Sequence, residues 1–281
     1  MTVYSTVDGQ KKEKTEDQKL FDKAFELYQD EELDSALLLF RQFQKQFTNS
    51  SLLPRVHYNI GYIQQEQGRL TECKEIFLEI LQSDYNEKEA GGNGLMGEQY
   101  ALYKHFSSER LAKIFIDEKN FDEAEKYVRL YDKRYPYEHF CGNELSSYQI
   151  SRAIDYATVL DGQGKTEEAI KKLLPYIFRN GLADNEALIN NLIALLDKRY
   201  KTDEIKMELK KSFEIIKIKP STVKKEEIAT IRVFETKIRV YDFDLFDFRR
   251  PDYKENFEIT GLEKYRKVMS MNRLYKKYSL D

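Results

Sequence analysis

The sequence contains little glycine, proline or cysteine and no tryptophan. Its 281 residues include 12 glycines, 5 prolines and 2 cysteines. Glycine and proline interrupt regular structure, so their scarcity beside abundant Glu, Lys, Leu and Ala predicts a mainly helical protein. The two cysteines, Cys73 and Cys141, lie too far apart in a long chain to indicate a disulfide framework.

Long hydrophobic runs are also absent. No apolar stretch approaches the ~20 residues that a helix needs to cross a bilayer. The first 20 residues, MTVYSTVDGQKKEKTEDQKL, contain no apolar signal core. A cytoplasmic location is therefore expected, and a leader removed before Met1 is the alternative.

The charge is nearly balanced but unevenly distributed. The net charge is −3, which favours neither binding nor exclusion of nucleic acid. Residues 249–281 carry a net charge of +4 and the remainder carries −7. This asymmetry predicts that the positive tail docks on its own negative body.

Tyrosine and phenylalanine, in contrast, are plentiful. The 20 tyrosines and 17 phenylalanines supply apolar area, and each tyrosine adds a polar tip. Such a chain has material for both a core and a contact surface, and its composition excludes the disordered class.

One pattern occurs four times: a helix, a short polar turn and a second helix. Each second helix has a small residue, a large apolar residue four positions later and another three positions after that. These spacings place all three on one helical face. The small residues are Ala36, Cys73, Ala124 and Ala169. The large ones are Phe40, Phe77, Val128 and Leu173, followed by Phe43, Ile80, Tyr131 and Tyr176.

The first helices repeat as well. Twelve residues before each small residue stands another: Ala24, Gly61, Ala112 and Ala157. Three positions later come Leu27, Gln64, Phe115 and Leu160. Small residues let two helix axes approach closely, and such helix pairs must stack on neighbours to bury their apolar faces.

This pattern resembles the tetratricopeptide repeat, a helix–turn–helix unit of 34 residues, at about residues 17–50, 54–87, 105–138 and 150–183. Pro136 closes the third unit where the family often has a proline. Gln64 departs from the family at a usually apolar position. The units begin 37, 51 and 45 residues apart, which predicts inserted loops at 86–99 and 139–147.

The predicted fold is mainly α, a solenoid of about four repeats with capping helices and a small C-terminal α/β appendage. Residues 1–16 form a flexible lead-in and residues 17–213 form the solenoid with its caps. Residues 214–281 form the C-terminal module. Period-two alternation predicts a strand or hairpin at 228–248, and a basic helix is expected at 261–278.

Motifs for catalysis, metals and nucleotides are incomplete. GQGKT at 162–166 resembles the end of a phosphate-binding loop, but Val159 stands where that loop needs glycine, so a helix turn is preferred. The glycine-rich segment 90–97 is interpreted as a flexible loop. His57, His105 and His139 form no ligand pair on one helix. No cofactor, metal, nucleotide or catalytic residue is predicted.

Two C-terminal segments allow alternatives. Asp242 and Asp244, with Asp247 nearby, could share one strand face and bind a hard cation, although a solvated strand face is preferred. The helix at 264–278 has six basic residues and an apolar stripe. It could contact an anionic membrane or RNA, but packing of the stripe on its own domain is the preferred interpretation.

The resemblance implies that first-helix residues line a concave groove. Its predicted contact residues are Phe21, Phe25, Tyr28, Tyr58, Tyr62, Phe106 and Lys113. Phe21 and Phe25 occupy positions where family members that bind a peptide carboxylate use a polar clamp, so an aromatic contact surface is expected instead. The alternative is a groove filled by the chain's own termini.

The function predicted from the resemblance is non-enzymatic binding of a protein or peptide, as an adaptor, scaffold or sequestering partner. One rival keeps the fold and assigns a dedicated neutralising role, as in immunity or antitoxin-like proteins. Another is an enzyme that uses the aspartates of 242–247. One tight partner would favour the first rival, and metal-dependent activity would favour the second.

Overall fold

The computed structural model describes residues 13–89, 100–138, 142–220, 227–247, 251 and 254–278. Most of the predicted lead-in, the glycine-rich segment 90–97, and His139 with Cys141 lie outside these residues. The chain divides into two compact units, Met1–Glu87 and Lys88–Asp281. Within the described ranges, no helix is both long and apolar enough to span a membrane.

The first unit consists of two helix pairs. Its helices are α1 (Glu16–Gln29), α2 (Leu33–Gln46), α3 (Leu53–Glu66) and α4 (Leu70–Gln82). Each helix packs on the next, as in an α-solenoid. Their shared core consists of Ala24, Ala36, Leu37, Phe40, Phe43, Val56, Ile60 and Ile63.

The second unit also contains helix pairs, together with a small sheet. Its helices are α5 (Tyr103–Asp117), α6 (Phe121–Arg129), α7 (Gly142–Gly162), α8 (Thr166–Leu173), α9 (Glu186–Arg199), α10 (Thr202–Glu214), α11 (Gly261–Met271) and α12 (Arg273–Lys277). Its strands are β1 (Lys217–Pro220), β2 (Glu227–Val233) and β3 (Thr236–Val240). A wider helical turn, Leu130–Arg134, extends α6.

The turns within the four helix pairs α1–α2, α3–α4, α5–α6 and α7–α8 have the same backbone geometry. Each contains one residue in the left-handed region, and the next residue donates its N–H to the carbonyl five positions earlier. This is the hydrogen bond of a Schellman C-cap. The left-handed residues are Glu31, Gly68, Lys119 and Gly164. The bonds run from Glu32 to Leu27, Arg69 to Gln64, Asn120 to Phe115 and Lys165 to Leu160, at 2.8–2.9 Å.

The small residues lie at the helix contacts, as predicted. Ala24, Ala36 and Ala169 are completely buried. A Cβ atom on Gly61 would lie 2.9 Å from Cγ2 of Ile76 and 2.9 Å from Cε1 of Phe77. Side-chain carbon atoms do not approach so closely, so α3 and α4 can pack at this distance only with glycine here. The repeat pattern is confirmed by this packing.

The predicted loop at 139–147 is wrong where it can be compared with the structure, because α7 begins at Gly142. The first turns of α7 pack on the preceding segment. The Tyr137 hydroxyl donates to Oε1 of Glu144 at 2.6 Å, and the Tyr137 and Tyr148 rings stack at 4.9 Å. These contacts explain why the helix starts earlier than the repeat pattern indicates.

The strand or hairpin predicted at 228–248 is a hairpin of β2 and β3, joined by the two-residue turn Phe234–Glu235. The sheet is antiparallel in the order β1-β2-β3. Both turn residues have positive φ, of 44° and 64°, which is the geometry of a type I′ turn. Neither is glycine, and the Phe234 ring stacks on Tyr200 at 4.4 Å, which holds the turn in place.

One face of this sheet completes a core that also includes residues of α7–α12. That core contains residues from before and after the domain boundary predicted between residues 213 and 214. The boundary itself stays a prediction. The predicted last helix is interrupted at Asn272, which has an extended backbone. The Asn272 side chain accepts from the Leu274 N–H at 2.9 Å and donates to the Ile177 carbonyl at 2.7 Å. These two bonds end α11 and start α12.

Candidate functional site

The predicted aromatic residues of the first unit form a continuous row of rings on α1 and α3. Phe21 stacks on Phe25 with ring centroids 6.1 Å apart, and Phe25 contacts Tyr28 at 5.9 Å. Tyr28 meets Tyr62 edge to face at 6.0 Å. Residues at i, i+4 and i+7 share a helix face, which is why three of these rings adjoin on α1. We call Phe25, Tyr28, Tyr58 and Tyr62 the aromatic surface.

A small pocket lies within this surface. It has a volume of ≈ 170 Å³ and is lined by Tyr28, Tyr58, Asn59, Tyr62 and Ile63. Cofactor and drug-sized ligands occupy pockets of roughly 300–1,000 Å³. A volume below that range suits one inserted side chain. Phe25 stands beside the pocket and is 38% exposed, which is high for so large an apolar ring.

Phe21 has a different position from the other rings of the row. It contacts Phe40 at 5.8 Å and Phe43 at 6.5 Å, and both are fully buried. Phe21 therefore belongs partly to the core and packs between that core and the Phe25 ring. Its truncation would disturb packing as well as the surface.

Phe106 belongs to an aromatic cluster in the second unit. Its ring contacts His105 at 5.1 Å and Tyr137 at 6.2 Å. His105 is fully buried, and its Nδ1 donates to the Tyr135 carbonyl at 2.7 Å. Burial lowers the pKa of His105, since the low-polarity surroundings disfavour the imidazolium ion. The ring is thus a neutral part of the core.

Lys113 lies near a buried carboxylate. Its Nζ pairs with Oε1 of Glu109 at 2.7 Å, one helical turn away on α5. Asp155 on α7 accepts a 2.7 Å hydrogen bond from the Tyr131 hydroxyl. Burial raises the pKa of Asp155 to about 6, and the hydrogen bond from Tyr131 and the charge of Lys113 oppose that shift. The arrangement resembles a structural polar contact between stacked helix pairs.

His57 is tied into the first unit by two side chains. Nδ1 lies 3.1 Å from the Tyr85 hydroxyl and Nε2 lies 3.0 Å from Oε2 of Glu79. Burial lowers the pKa of His57, and the hydrogen bond to Glu79 acts in the opposite direction. No group of three or more His, Cys, Asp or Glu side chains within the described part of the chain could hold a metal ion.

The aspartates of 242–247 do not share a strand face, because β3 ends at Val240. That interpretation was wrong, since Phe243–Leu245 form a short helical turn after the strand. Arg179 lies 3.2 Å from Oδ1 of Asp244 and 3.5 Å from Oδ2 of Asp247. Asp242 pairs with Nζ of Lys264 at 2.8 Å. The three carboxylates thus attach this segment to α11 and to the end of the helix pairs.

The GQGKT segment is the turn between α7 and α8. Gly164 has a φ of +79°, and Nζ of Lys165 donates to Oε1 of Gln163 at 2.9 Å. A Cβ atom on Gly162 would lie 2.4 Å from the Phe121 ring, so a larger residue here would displace that ring. The turn repeats the geometry of the other three and explains both glycines.

The apolar stripe of 264–278 lies in the core of the second unit. Tyr265, Val268, Met269, Leu274, Tyr275 and Tyr278 are all buried. Its polar atoms reach neighbouring helices: the Tyr275 hydroxyl lies 2.7 Å from Oγ of Ser212, and the Tyr278 hydroxyl donates to Asp197 at 2.9 Å. This stripe is occupied by its own domain and offers no apolar face to a membrane.

Sequence reasoning missed part of the polar and aromatic network of the second unit. Tyr137 and Tyr148 stack beside His105, while Arg152 forms an ion pair with Asp132. The repeat pattern assigns contact positions only within its 34 residues, and Tyr137 and Tyr148 lie at or beyond those limits. The high tyrosine content at 127–156 was the available signal.

Comparison with known protein families agrees with the helix-pair architecture. Residues 54–87, which are α3, α4 and the residues after them, match the tetratricopeptide repeat. No curated protein matches the chain. Among solved structures, "MamA RS-1 ArsTM double mutant" matches with a TM-score of 0.42 and 12% identity, covering 65% of this chain and 94% of that one. The matched repeat has the same turn and the same small-residue contact as three other helix pairs, and the chain therefore contains a tetratricopeptide repeat at 54–87.

Proposed function

We propose that this protein binds a protein or peptide partner through the aromatic surface of its first unit. Tetratricopeptide repeats are in general protein-interaction modules, and the repeat at 54–87 contributes Tyr58 and Tyr62 to this surface. The observation that carries the proposal is the row of rings from Phe25 to Tyr62, which ends in a pocket of ≈ 170 Å³. One apolar side chain of the partner enters that pocket.

The chemistry of the surface favours apolar anchoring. Tyrosine and phenylalanine bury large areas and freeze few rotatable bonds, which makes them common hot spots of interfaces. Phe106 and Lys113 remain proposed contacts on the second unit. We propose no catalytic step, since Asp242, Asp244 and Asp247 each form an ion pair with a lysine or an arginine.

The proposal is tested by affinity capture with matched variants. Wild type, Phe25→Ala, Tyr62→Ala and Leu38→Ala serve as baits in cell extract, with quantitative mass spectrometry. Leu38 is 68% exposed on α2 and lies outside the aromatic surface, so its truncation is the control. We expect wild type and Leu38→Ala to capture at least one protein in equal amounts. Phe25→Ala and Tyr62→Ala should capture less of that protein.

The captured protein is then purified and its affinity measured by calorimetry. Each aromatic truncation should weaken binding by about 1–4 kcal/mol, and binding should persist at raised salt because apolar burial is not screened. Both variants must melt near wild type. Equal capture by all four folded baits would overturn the proposal. A single partner in the wild-type capture would favour a dedicated neutralising role, and several partners would favour an adaptor.

A further inference from the structure

The outward face of the C-terminal sheet carries an unusual concentration of positive charge. In an antiparallel sheet, directly opposed residues point to the same face. The register places Lys217 opposite Thr230, Lys219 opposite Ile228, and Arg232 opposite Lys237. Thr230 of the central strand β2 also pairs with Arg239 of β3, so Arg239 points to the same face. Five cationic side chains therefore project from one face of a three-stranded sheet.

These charges are not neutralised within the described residues. No ion pair there involves Lys217, Lys219, Arg232 or Lys237, and Arg232 donates only to the Glu235 carbonyl at 3.2 Å. Like charges directly opposite on neighbouring strands are destabilising. The Arg232 and Lys237 pair thus opposes formation of the hairpin that carries it.

An apolar pocket lies among the charges. It has a volume of ≈ 570 Å³, and its apolar lining includes Ile215, Pro220 and Ile228. Ile215 is 54% exposed. Lys211, Lys217, Lys219, Arg232 and Lys237 also line it, and none of the lining residues that the structure describes is acidic or aromatic.

From this combination we infer that the sheet face is a second docking site, which takes an acidic peptide segment of a partner protein with apolar residues between its carboxylates. Residues two apart on a strand are separated by about 6.8 Å, and neighbouring strands by about 4.8 Å. Every second side chain of an extended segment points to the same face, so a segment in which acidic and apolar residues take turns at every second position matches that spacing. Its apolar side chains enter the pocket while its carboxylates face the lysines and arginines.

Edge protection, nucleic-acid binding and a small anionic ligand each account for less of this pattern. Lysines on an edge strand prevent unwanted pairing, but Arg232 lies on the central strand, where no edge needs protection. Single-stranded nucleic acid is usually bound by aromatic rings that stack on its bases, and the pocket lining has none. A single small carboxylate would neutralise one charge and leave the others in mutual repulsion. This site is independent of the aromatic surface in the first unit.

The test measures fluorescence anisotropy of a labelled peptide in which glutamate and leucine take turns at every second position, with serine at the positions between them (the glutamate–leucine peptide). In the two control peptides, serine replaces each leucine (the glutamate–serine peptide) or lysine replaces each glutamate. We expect the glutamate–leucine peptide to bind wild type more tightly than either control, and binding to weaken as salt is raised.

The key variant is Arg232→Glu, with Arg41→Glu as its matched control. Arg41 is an exposed arginine on α2 of the first unit, so the charge change is the same. Arg232→Glu should weaken the peptide about 3- to 10-fold, the range expected from loss of an exposed ion pair and introduction of repulsion. Its Tm should equal or exceed that of wild type, because the new carboxylate faces Lys237.

Ile215→Ser should reduce the difference in affinity between the glutamate–leucine peptide and the glutamate–serine peptide. Failure of the glutamate–leucine peptide to bind folded wild type would overturn the inference. So would tight binding of phosphatidylserine vesicles or a single-stranded oligonucleotide that Arg232→Glu abolishes while peptide binding is unchanged. Loss of peptide binding in Arg41→Glu as well would show that net charge alone explains the effect and would also overturn it.

Discussion

The phenol of Tyr131 donates a 2.7 Å hydrogen bond to Oδ2 of Asp155, and both side chains are nearly excluded from water. The donor and acceptor come from consecutive helix pairs of the second unit. Burial raises the pKa of Asp155 to about 6, and the hydrogen bond from Tyr131 limits that shift. At neutral pH the folded protein therefore holds a poorly solvated carboxylate, which lowers its stability.

This pair predicts a pH-dependent effect of Asp155→Asn. The folded pKa lies above the usual 3.8, so the destabilisation is fully present above about pH 6 and disappears as the pH falls towards 3.8. Asparagine has no charge, and its carbonyl oxygen still accepts from Tyr131. Urea unfolding should show Asp155→Asn more stable than wild type by about 1–3 kcal/mol at pH 7.5.

At pH 4.5 this difference should shrink by more than half. Tyr131→Phe is the control, because it leaves the carboxylate without its donor and should destabilise the protein most at pH 7.5. An Asp155→Asn effect of equal size at both pH values would contradict the titration of Asp155.

A second prediction concerns the close approach of α3 and α4. Gly61→Ala should lower the free energy of unfolding by about 1–3 kcal/mol, because its Cβ would meet Ile76 and Phe77 at 2.9 Å. The double variant Gly61→Ala/Phe77→Leu should lose less than the sum of the single effects, since the smaller side chain vacates the space. Additive losses, or an unchanged Tm of Gly61→Ala, would disprove the contact.

A third prediction uses the four equivalent turns. Glu31 and Lys119 adopt left-handed backbone conformations with φ of 62° and 57°, which favour glycine. Glu31→Gly and Lys119→Gly should each stabilise the protein by about 0.5–1 kcal/mol. Gly68→Ala and Gly164→Ala should destabilise it by a similar amount.

Thermal and denaturant unfolding of these four variants provides the measurement. The pairs are matched, because all four residues occupy the same position of the same turn. If glycine at 31 or 119 lowered stability while alanine at 68 or 164 had no effect, the shared turn geometry would be incorrect.

A fourth prediction concerns the attachment of the C-terminal segment. Arg179→Ala removes the cation that faces Asp244 and Asp247, and the Asp247 side chain is only 6% exposed. Loss of one partner from a mostly buried pair should cost about 3–5 kcal/mol. Arg199→Ala removes an exposed pair with Glu167 and should cost less than about 1 kcal/mol. Equal stabilities of the two variants, measured by urea unfolding, would rule out this role of Arg179.

The sequence by itself determined the repeated helix pairs and their contacts. A small residue followed by large apolar residues at spacings of 4 and 3 defines one helix face, and this information is local. For the same reason the alternation in 228–248 indicated extended structure, although it did not distinguish one long strand from a hairpin. The aromatic residues from Phe21 to Tyr62 were identified by their positions within the repeat, so that part of the candidate site was accessible from the sequence.

Only the tertiary structure decided which groups meet across long stretches of chain. Arg179 and Asp247 are 68 residues apart, and Asn272 reaches the Ile177 carbonyl across 95 residues. No periodic pattern encodes such pairs, because they depend on how complete elements pack. The pocket between Tyr28 and Tyr62 has the same origin: each ring was predictable, but the space they enclose exists only where α1 and α3 come together.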